Sequence, residues 1–231
     1  EICSLVEGLP LALEMAAAWT RALSCREIAD ELRLSTALLS DGEGQRPGRQ
    51  VSFERIFDHS WSLLSDAERA TLARLSVFRG GFDAAAARNV AGASPALVAA
   101  LVDKSLLRHD GKRFQMHALQ LQQAAQRLQA MDGAQSTWQA HQRHFLDWQS
   151  RNLLAIRRGE REVLSRFDDD WENHIAAWGH AVQGADERAL EDAAPALFWY
   201  VLQRGRSAEG LQLLRLASGA KHCVPGSACA A

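Results

Sequence analysis

Apolar residues near the start of the chain recur at helical spacing. Leu11, Met15 and Ala18 fall on one face, and Leu13, Ala16 and Ala17 widen the stripe. The stripe follows Gly8-Leu9-Pro10. Glycine frees the backbone and proline fixes φ for a first helical turn, so this triplet predicts a hinge and a helix start. Ser24-Cys25-Arg26-Glu27 has capping-box spacing and predicts a further helix. Ile28, Leu32 and Leu38-Leu39 would continue its buried side. Residues 41–49, with Gly42, Gly44, Pro47 and Gly48, read as a linker.

The pattern resumes at Ser52. Phe53, Ile56, Phe57, Ser60, Trp61 and Leu64 keep helical spacing, and Ser65-Asp66-Ala67-Glu68 is a second capping box. Leu72, Leu75 and Phe78 are expected to carry the next helix inward until Gly80-Gly81 stops it. Asp83 would cap a short helix ending near Gly92, and Ser94-Pro95 would start another through Lys104. Two short β-capable runs, 106–108 and 113–116, flank His109-Asp110-Gly111-Lys112, a hairpin pattern. Leu121, Ala124, Ala125, Leu128 and Met131 then mark a long helix. Helices, a hairpin and a helix give the outline of a winged-helix domain.

From about Gln135 the pattern becomes helical pairs. Trp138, Phe145 and Trp148 share a face, as do Trp171, Ile175, Trp178 and Val182. Ala194, Leu197, Phe198, Val201 and Leu202 repeat the theme. Gly184 and Gly205 are the expected turns, and Leu211 and Leu214 the inner face of the last helix. Tetratricopeptide-type repeats follow from this succession. The end, 220–231, is expected to be disordered. The fold class is mostly α: a helical lid segment, a winged helix with a small β-hairpin, then antiparallel helical pairs.

Composition agrees. The 231 residues are 47% hydrophobic and 23% charged, with a single Tyr, which favours a helical globular protein. A net charge of -2 without a basic segment argues against a dedicated nucleic-acid binder. Cys3, Cys25, Cys223 and Cys229 lack zinc-site spacing and are expected to be free thiols of a cytoplasmic protein. No apolar run approaches the roughly 18 residues of a membrane span. The chain opens on Glu1 inside an apparent helix and reads as a fragment.

Five segments come in a telling order: Gly8-Leu9-Pro10-Leu11, Phe57-Asp58-His59-Ser60-Trp61, the run 75–82, the run 101–107 and Phe114-Gln115-Met116-His117. Their succession resembles the back half of the nucleotide-switch ATPase module of bacterial STAND regulators, relatives of the NB-ARC ATPases. The resemblance divides the chain into a helical end of that module (1–45), a winged helix (52–131), repeats (135–219) and a tail (220–231). It implies that Pro10 and Leu9 contact the adenine or ribose of bound ATP or ADP, and that His117 reaches the β-phosphate of ADP. The acidic residue that usually follows the His is Ala118 here, and Gln120, Leu121, Gln122 and Gln123 replace the usual basic residue. The implied partners are an ATPase core and an effector domain on the same polypeptide, and an inducer or protein on the repeats.

No G-x-x-x-x-G-K-[ST] loop is present, so the chain alone is not expected to hydrolyse ATP. No metal site is expected: Asp168-Asp169-Asp170 reads as an acidic helix cap, and His141 with His144 as a solvated face. Catalytic nucleophile motifs are absent. The apolar helix 95–104 has almost no groups to read bases, so direct DNA binding is not expected. Two rival readings are a stand-alone helical adaptor, with a groove lined by Trp178, Phe198 and Trp199, and a winged-helix DNA binder using Arg108, Lys112 and Arg113.

Overall fold

A computed structural model describes residues 1–6, 8–21, 23–37 and 48–220. Fourteen helices and one hairpin run along them: α1 (Ile2–Leu5), α2 (Pro10–Ala18) with a 3-10 turn (Trp19–Arg21), α3 (Cys25–Ala37), α4 (Gly48–Ser62), α5 (Asp66–Leu75), α6 (Ala84–Ala91), α7 (Pro95–Asp103), β1 (Arg108–His109), β2 (Phe114–Gln115), α8 (Ala118–Gln129), α9 (Ala134–Arg151), α10 (Leu153–Arg157), α11 (Arg161–Asp169), α12 (Trp171–Gln183), α13 (Glu187–Gln203) and α14 (Ser207–Ala220). The fold is mostly α, as the sequence implies. Leu38-Leu39, linker positions 41–47 and the end 221–231 lie outside the described residues.

Local capping sets many of these boundaries. Ser24 Oγ accepts from the Glu27 N–H at 3.3 Å while Glu27 accepts from the Ser24 N–H at 2.7 Å. Ser65 and Glu68 repeat the box at α5, Asp83 accepts from Ala86 N–H at α6, and Ser94 from Leu97 N–H at α7. Two boundaries differ from the expectation. α4 begins at Gly48, a turn before Ser52, because nothing from Arg49 to Val51 opposes a helix. α5 ends at Leu75, before Phe78, and Gly80 and Gly81 (φ 71° and 93°) turn the extended chain instead of ending a helix.

The chain divides into two units: residues 1–76 with 92–132, and 77–91 with 133–231. Of the spans 1–45 and 52–131, the described residues up to 37 and from 52 to 76 thus share one unit, while 77–91, expected inside the winged-helix span, belong to the other. In the first unit, Met15, Phe53, Ile56, Phe57, Leu72 and Leu101 are fully buried. Trp19 Nε1 donates to Ser60 Oγ at 3.2 Å, tying the first helices to α4. Buried Glu68 accepts from Lys104 Nζ at 2.7 Å and fixes α5 against the end of α7. The hairpin pairs Arg108 with Gln115 and His109 with Phe114, closed by Asp110, which accepts from the Lys112 and Arg113 N–H groups.

In the second unit α9 packs against α6, α12 and α13. The small face of α6 (Ala86, Ala87, Val90) is buried, and Phe78 stacks on Phe82 at 4.6 Å and meets Phe145 edge-on at 6.2 Å. Those apolar contacts explain why 77–91 belong here. Phe167 stacks on Tyr200 at 3.7 Å, and Trp178 Nε1 donates to the Leu213 carbonyl at 2.9 Å. The buried face of α13 comprises Leu190, Ala193, Ala196, Leu197, Tyr200 and Val201. Phe198 and Leu202 instead face solvent (48% and 52% exposed), as does Leu211, so the inner position of α14 is Leu213. Trp178, 1% exposed, cannot line an open groove with Phe198. At the α12–α13 turn it is Ala185 (φ 51°), not Gly184 (φ -82°), that takes the left-handed conformation.

Candidate functional site

In the Gly8-Leu9-Pro10 corner, Gly8 takes φ 67°, which suits glycine, and its N–H donates to the Cys3 carbonyl at 2.8 Å. Leu9 is extended (φ -66°, ψ 117°), as a residue before proline prefers. Pro10 is exposed at the first position of α2, where a missing N–H costs nothing. The result is an apolar corner on the surface of the first unit, in which the Gly8 and Leu9 N–H groups are bonded within the chain and Pro10 has none.

His117 follows β2 and caps α8. Its Nδ1 accepts from the Leu119 N–H at 3.3 Å, and Gln120 Oε1 accepts from the His117 N–H at 3.3 Å. Gln120 Nε2 also donates to the Ser105 carbonyl at 2.9 Å, holding the cap against the segment after α7. An imidazole nitrogen that accepts carries no proton, so in the neutral ring the hydrogen sits on Nε2. The ring is exposed, and Nε2–H is a donor available to an incoming oxygen. His117 shares a unit with Leu9 and Pro10, but no hydrogen bond or ion pair joins them among the described residues.

The second unit holds polar groups that sequence reasoning missed. His141 is fully buried, not on a solvated face. Its Nε2 lies 3.3 Å from Asn173 Oδ1, which also accepts from the Arg79 N–H at 2.7 Å. Asn173 Nδ2 donates to the Gly81 carbonyl at 2.8 Å, so the amide clamps both sides of the Gly80 turn. With Oδ1 an acceptor, His141 carries its proton on Nε2, and Nδ1 is a buried lone pair without a partner. Gln149 Nε2 and His174 Nδ1 are 2.9 Å apart in the same interior. Burial pushes the His141 pKa down to about 3, opposed by its bond to Asn173. His174 is held well below the usual range by burial, with His141, His144 and Arg166 adding to the effect. Both rings are therefore neutral at pH 7. Periodicity could not reveal this cluster, because buried polar side chains break the apolar stripe rather than mark it.

The acidic triplet is divided in use. Asp168, in the last turn of α11, accepts from Tyr200 Oη at 2.7 Å and pairs with Arg204 at 2.5 Å. Burial, with Asp168 beside it, raises the Tyr200 pKa beyond the ordinary phenol range. Only Asp170 occupies the N-cap position of α12, and it makes no side-chain cap bond. The acidic-cap expectation thus fails for Asp168 and Asp169, because α11 runs through Asp169. Among the described residues no three His, Cys, Asp or Glu side chains cluster to hold a metal.

A cleft of about 500 Å³ opens beside α9 and the α12–α13 turn, with Arg143, Asp147, His180, Arg188 and Asp192 on its walls and Gln142 at its base. Gln142 Nε2 donates to Asp186 Oδ2 at 2.6 Å, and Gln142 Oε1 lies 2.7 Å from His180 Nδ1. Since the amide oxygen can only accept, His180 Nδ1 carries the proton and Nε2 is an acceptor. Trp138 lies parallel to the His180 ring at 5.7 Å, and burial lowers the His180 pKa. No single helix among the described residues is long and apolar enough to cross a membrane.

No family model matches the chain. Over 117 residues, 48% of its length, it is 41% identical to the "Putative HTH-type transcriptional regulator Rv0890c" of Mycobacterium tuberculosis (strain ATCC 25618 / H37Rv). A second Mycobacterium tuberculosis relative, the uncharacterized protein Rv0894, is 42% identical over 83 residues. The matched segments span 13% and 21% of those two relatives. A solved STAND protein with a tetratricopeptide repeat sensor from Pyrococcus horikoshii superposes with a TM-score of 0.39 at 16% identity, covering 94% of this chain and 35% of that one. The sequence matches make about half of this chain similar to a protein named as a transcriptional regulator.

Proposed function

We propose that this chain is the switch-and-scaffold part of a signal-responsive regulator of the STAND type. The first unit supplies the nucleotide-sensing corner: Pro10 and Leu9 against the base or ribose of ATP or ADP, and His117 on the β-phosphate of ADP. In this reading α4, α5, α7, the hairpin and α8 form a winged helix that packs on a nucleotide fold. α7 fits that role, because its length offers almost no group able to read a base edge. The second unit is the helical scaffold for an inducer or partner. The phosphate-binding core and the effector belong to other parts of the same polypeptide, so these residues alone are not an enzyme.

The observation that carries the reading is the geometry of His117. Its Nδ1 is engaged at the helix N-terminus, which leaves a proton on an exposed Nε2. A donor on Nε2 is what an ADP phosphate oxygen needs, and the positive end of α8 favours an anion there. A contact made only in the ADP-bound form biases the switch toward that form.

The test is ADP retention by the intact natural polypeptide. His117→Ala removes both donor and cap. His117→Asn keeps a capping acceptor and loses the Nε2 donor. Faster ADP loss from His117→Asn with an unchanged thermal midpoint supports the reading. Unchanged ADP retention in both variants removes His117 from the switch.

A further inference from the structure

We propose that the cleft beside α9 and the α12–α13 turn binds a small zwitterion of the amino-acid class, with its carboxylate on Arg143 and its ammonium on His180 Nε2 and the flanking aspartates. This deepens the scaffold half of the proposed function and rests on the second unit being the ligand-responsive one.

Three observations carry it. First, the cleft has the size of a small-molecule site, about 500 Å³. Ala189 and Gly184 are its only non-polar lining residues, so it suits a polar ligand. Second, one wall is pre-organised. Asp186 is held as the N-cap of α13 by the Ala189 N–H at 3.2 Å and orients Gln142, which in turn orients His180. Buried Gln142 has both ends of its amide committed, so the ring cannot turn over without losing a bond. Parallel stacking on Trp138 restrains the ring further. The outcome is an imidazole that offers a lone pair, a feature that selects an N–H donor.

Third, the charges are arranged for both ends of a zwitterion. Arg143 lines the cleft and makes no hydrogen bond or ion pair among the described residues, so its guanidinium is available for a carboxylate. The carboxylates are loosely engaged: Asp147 with Arg151 at 3.5 Å and Asp192 with Arg188 at 3.9 Å. An ammonium would displace those contacts at little cost, since exposed pairs of this kind contribute little. A simple anion would pair with Arg143 and leave Asp147 and Asp192 on their loose partners Arg151 and Arg188, and a simple cation would leave Arg143 without a partner. A ligand carrying both charges satisfies each wall.

The experiment is isothermal titration of the intact natural polypeptide with each common free amino acid, and with acetate and ethylammonium as the two half-ligands. At least one amino acid is expected to give saturable heat that neither half-ligand reproduces. Its Kd should rise about tenfold or more in Arg143→Gln, from loss of a charge-assisted pair. Arg161→Gln, the same charge change on α11 away from the cleft, should leave Kd unchanged. His180→Phe should weaken binding as Arg143→Gln does. If that variant unfolds by circular dichroism, Arg143→Gln against Arg161→Gln decides alone. Absence of saturable heat up to about 10 mM of every amino acid overturns the proposal. Equal binding of acetate, or an unchanged Kd in Arg143→Gln, overturns it as well. ADP retention is not read in this experiment, so its failure leaves the nucleotide reading standing.

Discussion

Acid should unfold the second unit through its buried histidines, and His141 shows by how much. In the unfolded chain a histidine titrates near 6.5, whereas in the fold burial holds His141 at about 3. The unfolded state therefore binds a proton that the folded state refuses throughout that interval. Stability is fully present above pH 6.5 and falls as pH drops toward 3. Each pH unit in the window costs about 1.4 kcal/mol per such histidine. Two units, from 6.5 to about 4.5, remove about 3 kcal/mol through His141 alone. His174 shifts in the same direction and steepens the slope.

The groups facing His141 act consistently: Arg79, His144 and His180 all disfavour its charged form, and only the Asn173 bond supports it. The assay is urea unfolding of wild type and His141→Leu across this pH range. Carboxylates titrate in both proteins and cancel in the difference. At neutral pH the variant loses the Asn173 bond but also removes an unpartnered buried nitrogen, so its net change is about 1 kcal/mol. By pH 4.5 the variant should have gained about 3 kcal/mol relative to wild type. Parallel pH profiles for the two proteins would refute the reasoning.

Three further outcomes follow from packing. A Cβ added at Gly210 would lie 2.6 Å from Val201 Cγ2, so Gly210→Ala should destabilise by about 1–3 kcal/mol in urea unfolding, and Val201→Ala should rescue part of the loss. Ala185 sits at φ 51°, so Ala185→Gly should stabilise by up to about 1 kcal/mol, read as a raised thermal midpoint. Glu68→Ala removes a capping-box acceptor and the Lys104 partner together, and should cost about 2 kcal/mol in chemical denaturation, more than Ser65→Ala.

What was legible in the sequence was local. Ser24 with Glu27, Ser65 with Glu68, Asp83, Ser94-Pro95 and Asp110-Gly111 each act within three residues, and each stands where the pattern put it. Long-range pairing left no such trace. Nothing near Phe78 tells that its partners are Phe145 and His141, more than sixty residues on. Phe198 and Leu202 share the expected inner stripe with Leu197 and Val201, yet the helix buries Leu197 and Val201 and turns Phe198 and Leu202 to solvent. At the candidate sites the same division holds. The Gly8-Leu9-Pro10 corner and the His117 position come from contiguous motifs. The polar wall of the cleft depends on Gln142, His180 and Asp186, which meet only after three helical elements have folded.

Because residues 77–91 complete a unit whose remaining part begins at residue 133, synthesis order imposes a delay. A ribosome adds roughly 5–20 residues per second. α9 starts about forty residues after α6 ends, so Phe78, Phe82 and the alanine face of α6 wait several seconds for their partner. During that interval the nascent chain presents an apolar segment in the middle of an otherwise foldable first unit. A chaperone, or a pause in translation before α9, would act on that segment, and any product halted near residue 132 would carry it uncovered.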